Sequence, residues 1–199
     1  RFGIERALPF HSLALEHHPA IGNRALIEVI RGYPNLSPSW VILPHHTGEF
    51  CSPAELLVEA REVGVRALRM FPDFHKYPVD DWMLGDLFAA VEGQLPLFWH
   101  INKLDTQTAR DIYNVCSAYP RLQLVVCDVD KMINRVITPL MRRLPNLWLE
   151  TSGYRVNSSI KYICEAVGED RVIFGTQLPW QSTGGPHADF VYAEITEKA

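Results

Sequence analysis

Leu95-Pro96-Leu97-Phe98-Trp99-His100-Ile101, then a helically spaced segment from Thr106 to Tyr119, then Leu122-Gln123-Leu124-Val125-Val126-Cys127-Asp128-Val129 together specify the fold class. The two flanking runs are short, continuous and apolar. They lack the polar alternation of a strand wetted on one face, so they read as strands covered on both sides, the condition of a parallel sheet. A helix between two such strands makes a βα crossover unit.

The same pattern recurs on both sides of this stretch. Further apolar runs lie at Ile4 to Phe10, Trp40 to Pro44, Val65 to Phe71, Leu147 to Thr151 and Val172 to Thr176, which brings the expected strands to seven. Between them stand helix signals. Ser52-Pro53-Ala54-Glu55 sets Ser at an N-cap, Pro at the first helical position and Glu at the third, and Gly64 closes that helix. Asp80-Asp81-Trp82 opens the next, whose apolar stripe of Leu84, Leu87, Phe88 and Val91 stops near Gly93. Ser158 to Val167 is a further helix, turned back into a strand by Gly168-Glu169-Asp170-Arg171.

Alternating βα units predict an α/β fold, a (β/α)8 TIM barrel of one domain over residues 1–199, with seven units visible and the first strand absent or upstream. A doubly wound sheet would need a Gly-rich nucleotide loop after an early strand, and no G-x-G-x-x-G or Walker A sequence occurs. The usual barrel size leads us to expect about 20 to 70 further residues upstream. Were these 199 residues everything, the barrel would expose two open sheet edges, and a homo-oligomer covering them is the alternative expectation.

Of the 199 residues, 47% are apolar and 21% charged, as expected of a globular chain. With 19 Lys and Arg against 23 Asp and Glu, the net charge is −4 and the basic residues are scattered, so no nucleic-acid partner is expected. No apolar run reaches the roughly 20 residues of a membrane span and the start has no signal-peptide layout, so no membrane partner and a cytoplasmic location are expected. Cys51, Cys116, Cys127 and Cys164 are far apart, without C-x-x-C, and three sit among apolar neighbours, so they read as reduced core thiols and not a disulfide frame.

In a parallel barrel the active site is built from the C-terminal strand ends. Those ends carry His11, His45 and His46, Arg69 and Asp73, His100 and Asn102, Asp128 and Asp130, Glu150 and Ser152, and Gln177. His100 closes an apolar strand and faces the mouth, where imidazole does acid/base work or binds metal. Asp128 offers a carboxylate just past the next strand, with a helix N-cap as the alternative. Arg69 lies inside an apolar strand, so it pairs with a buried carboxylate or meets an anionic substrate. We take His100, Asp128 and Arg69 as the catalytic candidates, and His45, Asn102, Ser152 and Gln177 as the groups that bind a small-molecule substrate. His17-His18 reads as surface loop, and Ser152-Gly153-Tyr154 lacks the G-x-S-x-G elbow of a serine nucleophile.

Five phrases in order carry a resemblance: Gly3-Ile4-Glu5-Arg6-Ala7, Gly64-Val65-Arg66-Ala67-Leu68-Arg69, Leu95 to His100, Asn146-Leu147-Trp148-Leu149-Glu150-Thr151-Ser152-Gly153, and Arg171-Val172-Ile173-Phe174-Gly175-Thr176-Gln177-Leu178-Pro179-Trp180. They resemble the amidohydrolase-related (amidohydrolase 2) family of TIM-barrel hydrolases, lactonases and decarboxylases. The last phrase is the most specific, since the family reads R-x-x-F-G-T-D-x-P there, followed by a helix like one beginning near Ala188.

The resemblance implies a divalent metal, zinc being the commonest, held by an H-x-H pair on strand one, a His on strand five and an Asp on strand eight, with a further His on strand six. His100 matches the strand-five His. The strand-six position reads Asp128-Val129-Asp130, the strand-eight Asp reads Gln177, and the chain starts at the family's strand two. Gln177 cannot ionise, so it is neither a general base nor a good zinc ligand. Asp128 then stands as the substitute carboxylate, a metal ligand with His100 or a base, and a site without metal is the alternative. Three readings remain open: a hydrolase or lactonase acting on a small anionic molecule, a degenerate barrel that binds or scaffolds, and a metal-dependent decarboxylase.

Overall fold

In the computed structural model, which describes residues 3–129, 133–155 and 158–193, the apolar runs after the first become parallel strands in chain order. The chain divides into two units, one of Arg1–Trp99 with Arg121–Gln123 and the other of His100–Pro120 with Leu124–Ala199.

The first unit holds β1 (Ser39–Val41), β2 (Ala67–Met70) and the start of β3 (Leu97–His100). β1 pairs with β2 and β2 with β3, both parallel, with Ser39 opposite Ala67 and Leu68 opposite Leu97. Its helices are α1 (Ser12–Glu16), α2 (Pro19–Ile30), α3 (Pro53–Glu62), α4 (Pro72–His75) and α5 (Asp81–Val91). The capping box at α3 forms as expected: Ser52 Oγ accepts from the Glu55 N–H at 3.4 Å, and the Glu55 carboxylate accepts from the Ser52 N–H at 2.9 Å. Leu56, Leu57 and Ala60 of α3 and Leu84, Leu87, Phe88 and Val91 of α5 are buried, so both apolar stripes face inward.

Residues 4–10, expected as a strand, form none. A single bridge joins Ala7 to Leu36, and residues 3–8 are exposed. Pro9 has no N–H with which to continue a ladder. β1 presents the backbone groups of Val41 to α2 instead, where the buried Asn23 amide donates to Val41 O at 2.8 Å and accepts from Val41 N–H at 2.9 Å. One side chain thus supplies the two hydrogen bonds that a neighbouring strand would give.

The second unit holds the end of β3, then β4 (Leu124–Cys127), β5 (Leu147–Glu150) and β6 (Val172–Ile173). β4 pairs with β5 and β5 with β6, again parallel, with Leu124 opposite Leu147 and Leu149 opposite Val172. Its helices are α6 (Thr106–Ala118), α7 (Asn134–Arg143), α8 (Ser159–Val167) and α9 (Gly184–Val191). Asp105 caps α6, its Oδ1 accepting from the N–H groups of Gln107 and Thr108 at 3.0 Å each, and these bonds hold its carboxyl below the usual range. β6 stops at Ile173, short of the expected Thr176, and α9 starts at Gly184, ahead of Ala188.

All four cysteines are free thiols; Cys116 and Cys127 lie in the core, whereas Cys51 and Cys164 are only half-buried. Among the described residues no helix is long and apolar enough to cross a membrane.

Candidate active site

Three strand ends of the second unit meet. His100 closes β3, Asp128 follows β4, and Gln177 follows β6. Asp128 and Gln177 both have left-handed backbone, with φ of 60° and 51°, which turns each side chain aside as its strand runs out. The His100 imidazole donates from Nδ1 to Asp128 Oδ2 at 2.5 Å, and the Gln177 amide nitrogen donates to Asp128 Oδ1. Both carboxylate oxygens of Asp128 are therefore bonded. Their side chains are 11% and 25% exposed for His100 and Asp128, enough to leave the pair within reach of solvent. Asp128 is not the N-cap of the next helix, because α7 begins only after Ile133. Asp130 lies outside the described residues.

The loop after β5 supports this group. A Cβ on Gly153 would come within 2.7 Å of Val129 O and 2.9 Å of the Asp128 carbonyl carbon, so only a glycine lets the two backbones lie together. Tyr154, fully buried, anchors the loop by donating its hydroxyl to Asn134 Oδ1, and burial pushes its phenol up to about 12. Ser152 is 1% exposed and donates its hydroxyl to Glu150 Oε2 at 2.7 Å, while its N–H donates to Glu150 Oε1 at 3.2 Å. Gly175 makes room for that carboxylate, since a Cβ there would fall 1.0 Å from Glu150 Oε1. Asn102 is exposed just past β3.

The other candidates belong to the first unit. Arg69, 9% exposed, donates from Nε to Ser39 Oγ at 2.7 Å and from Nη2 to Leu8 O at 2.9 Å. Its guanidinium carbon lies 5.2 Å from the centre of the Phe10 ring and 4.7 Å from that of Phe98. These bonds place it as an anchor for the segment around Leu8. His46 Nε2 donates to Met83 O at 2.8 Å, and His45 lies with its ring centre 4.3 Å from that of His46. His11 and His18 cap α1 and α2 through Nδ1, accepting from the N–H groups of Leu13 and Ala20 at 3.2 Å. His17 is an exposed turn residue at the end of α1, as expected of a surface loop, whereas His18 is the N-cap of α2, signalled by Pro19.

Sequence reading found His100, Asp128 and Gln177 but missed Gly153, Gly175 and Gln181, which shape their surroundings. The two glycines sit just beyond strands, where a missing side chain signals close approach.

Among the described residues no three His, Cys, Asp or Glu side chains gather as a metal site would require. His100 and Asp128 supply two donors where a catalytic divalent centre takes three, and the Asp128 oxygens are already bonded. By themselves these residues do not fit the metal.

No curated protein matches the chain. Among solved structures, an uncharacterised TIM-barrel protein from Bordetella bronchiseptica is 21% identical with a TM-score of 0.78, over 98% of this chain and 73% of that one. The 5-carboxyvanillate decarboxylase LigW from Sphingomonas paucimobilis is 17% identical with a TM-score of 0.70, over 95% and 70%. LigW2 from Novosphingobium aromaticivorans, solved with manganese and 3-methoxy-4-hydroxy-5-nitrobenzoic acid, is 16% identical with a TM-score of 0.69, over 98% and 69%. These likenesses fix the fold as a (β/α)8 barrel. The amidohydrolase family profile matches residues 19–199, and with that match over most of its length the chain belongs to the amidohydrolase family.

Proposed function

We propose that the chain is a hydrolase of small anionic esters, lactones foremost, in which His100 and Asp128 form the acid/base pair. The observation that carries this reading is the 2.5 Å bond from His100 Nδ1 to Asp128 Oδ2 at the strand ends. A carboxylate on Nδ1–H fixes the imidazole tautomer and leaves the Nε2 lone pair to accept a proton. Nε2 takes that proton from the water that attacks the ester carbonyl, and the resulting imidazolium, stabilised by Asp128, returns it to the leaving alkoxide. Gln177 contributes no proton. Its amide holds the other oxygen of Asp128 and keeps the carboxylate turned toward His100.

The acidic substrate class is supported by the fold neighbours, which include an enzyme solved with a substituted benzoic acid. Those same neighbours favour a second reading, decarboxylation of a hydroxybenzoate, with His100 as the proton donor to the ring carbon.

The test is a screen of the purified protein against small carboxylated lactones, followed by acid release, and against hydroxybenzoates, followed by carbon dioxide. His100→Ala and Asp128→Asn are each expected to lower turnover at least about 100-fold with the circular dichroism spectrum retained, the lower end of general acid/base contributions. Dialysis against a chelator is expected to leave lactone turnover unchanged. Turnover that survives His100→Ala would sink the assignment, and ligand binding without turnover of either class would favour a binding protein.

A further inference from the structure

The hydrogen-bond chain at Asp128 does not end at Gln177. The Gln181 N–H donates to Gln177 O at 3.1 Å and closes a turn that brings the two side-chain amides together. The Gln181 amide nitrogen donates to Gln177 Oε1, and the Gln177 amide nitrogen donates to Asp128 Oδ1. Asp128 Oδ2 accepts a hydrogen bond from His100 Nδ1–H. All the protons point toward Asp128.

That direction is not set by shape. The two ends of a glutamine amide are nearly the same size and opposite in hydrogen-bonding sense, so Gln177 would fill its space equally well turned over. Turned over, it would set its carbonyl oxygen against the Asp128 carboxylate, two acceptors with no proton between them. The Asp128 carboxylate, an acceptor only, requires the NH2 end of Gln177, and Gln181 reinforces that orientation by giving an N–H to Oε1. Gln177 and Gln181 lie half-buried, where such a bond is shielded from competing water.

We propose that Gln181 is a positioning residue: it locks Gln177 in the amide sense that Asp128 requires and so holds Asp128 as the acceptor for His100. The inference builds on the acid/base reading of His100 and Asp128, but its test needs no substrate.

The test reads the His100 Nδ1–H directly by proton NMR of the 15N-histidine-labelled protein, with the resonance assigned by its loss in His100→Asn. In the wild-type chain a downfield, exchange-protected imidazole N–H is expected. Gln181→Glu keeps the size but only accepts, so it draws the NH2 end of Gln177 away from Asp128, and the resonance is expected to vanish. Gln181→Met keeps the bulk without either bonding sense, and exchange of the Nδ1 proton is expected to quicken at least about tenfold, the worth of one hydrogen bond of about 1.4 kcal/mol. A role in packing alone would leave both signatures as in the wild type. Wild-type exchange in either folded variant, or no protected resonance in the wild-type chain, overturns the proposal. Failure of the acid/base reading would look different: absent turnover with the resonance intact.

Discussion

Gly153 lies directly against Asp128: a Cβ on the glycine would stand 2.9 Å from the Asp128 carbonyl carbon and 3.1 Å from its Cα. The obstruction is backbone, which cannot swing aside as a side-chain tip can. Gly153→Ala must therefore displace the loop or Asp128. We expect a loss of about 1 to 3 kcal/mol in urea denaturation, the usual cost of overpacking, together with loss of the protected His100 proton. Wild-type stability and an unchanged resonance would show that the close approach does not set the position of Asp128.

Glu150 and Gly175 make a second pair of this kind. Glu150 is 9% exposed, accepts from Ser152 Oγ and N–H, and occupies the space a side chain at 175 would take. Gly175→Ala alone forces the carboxylate from its place and leaves the buried Ser152 hydroxyl without its acceptor, an expected cost of about 1 to 3 kcal/mol. In Glu150→Ala the space is vacated, so adding Gly175→Ala should cost much less. A double-mutant cycle by denaturation measures the coupling, and additive effects would contradict it.

Arg69 ties β2 to the segment before β1 through Ser39 Oγ and Leu8 O, and Ser39 Oγ donates in turn to Pro9 O at 2.8 Å. Lysine cannot reproduce the planar fork or its stacking on Phe10 and Phe98. Arg69→Lys is expected to cost about 1 to 3 kcal/mol, as for bonds from a charged donor, and to raise amide exchange at Ala7 and Ser39 above the rest of the unit. Uniform protection in the variant would argue instead that the guanidinium is held for a substrate anion.

The repeated βα pattern was legible because buried parallel strands must be apolar on both faces, which marks Leu97–Trp99, Leu124–Cys127 and Leu147–Leu149 without reference to their partners. The first expected strand failed because apolar content at Ile4, Ala7 and Leu8 says nothing about whether a backbone donor such as that of Pro9 is present for pairing. At the site, His100 and Asp128 stood out as ionisable residues closing apolar runs. Their bond to one another, the direction of the Gln181–Gln177 chain and the contact of Gly153 with Asp128 depend on which strand ends become neighbours and on left-handed turns at Asp128 and Gln177. Local sequence carries no signal for distances of that kind.

The alkaline limit of stability follows from buried groups that ionise to anions. Burial pushes the Cys116 thiol from 9.0 up to about 12, and burial, helped by the neighbouring Tyr162, raises the Tyr154 phenol. For a group whose folded value is raised, the folded chain holds its proton where the unfolded chain has lost it. The stabilisation is complete below the unfolded value and falls as pH rises toward the folded one. For Cys116 that window runs from 9.0 to about 12, and within it one thiol lowers the unfolding free energy by at most about 1.4 kcal/mol per pH unit. Cys116→Ala removes the titrating group, at a cost of about 1 kcal/mol at neutral pH for the lost sulfur volume. Urea denaturation across the window should therefore give a shallower decline for Cys116→Ala than for the wild-type chain, so that the two stabilities converge with rising pH. Parallel declines would mean that the thiol reaches solvent before it ionises, and that α6 opens locally at alkaline pH while the rest of the unit stays folded.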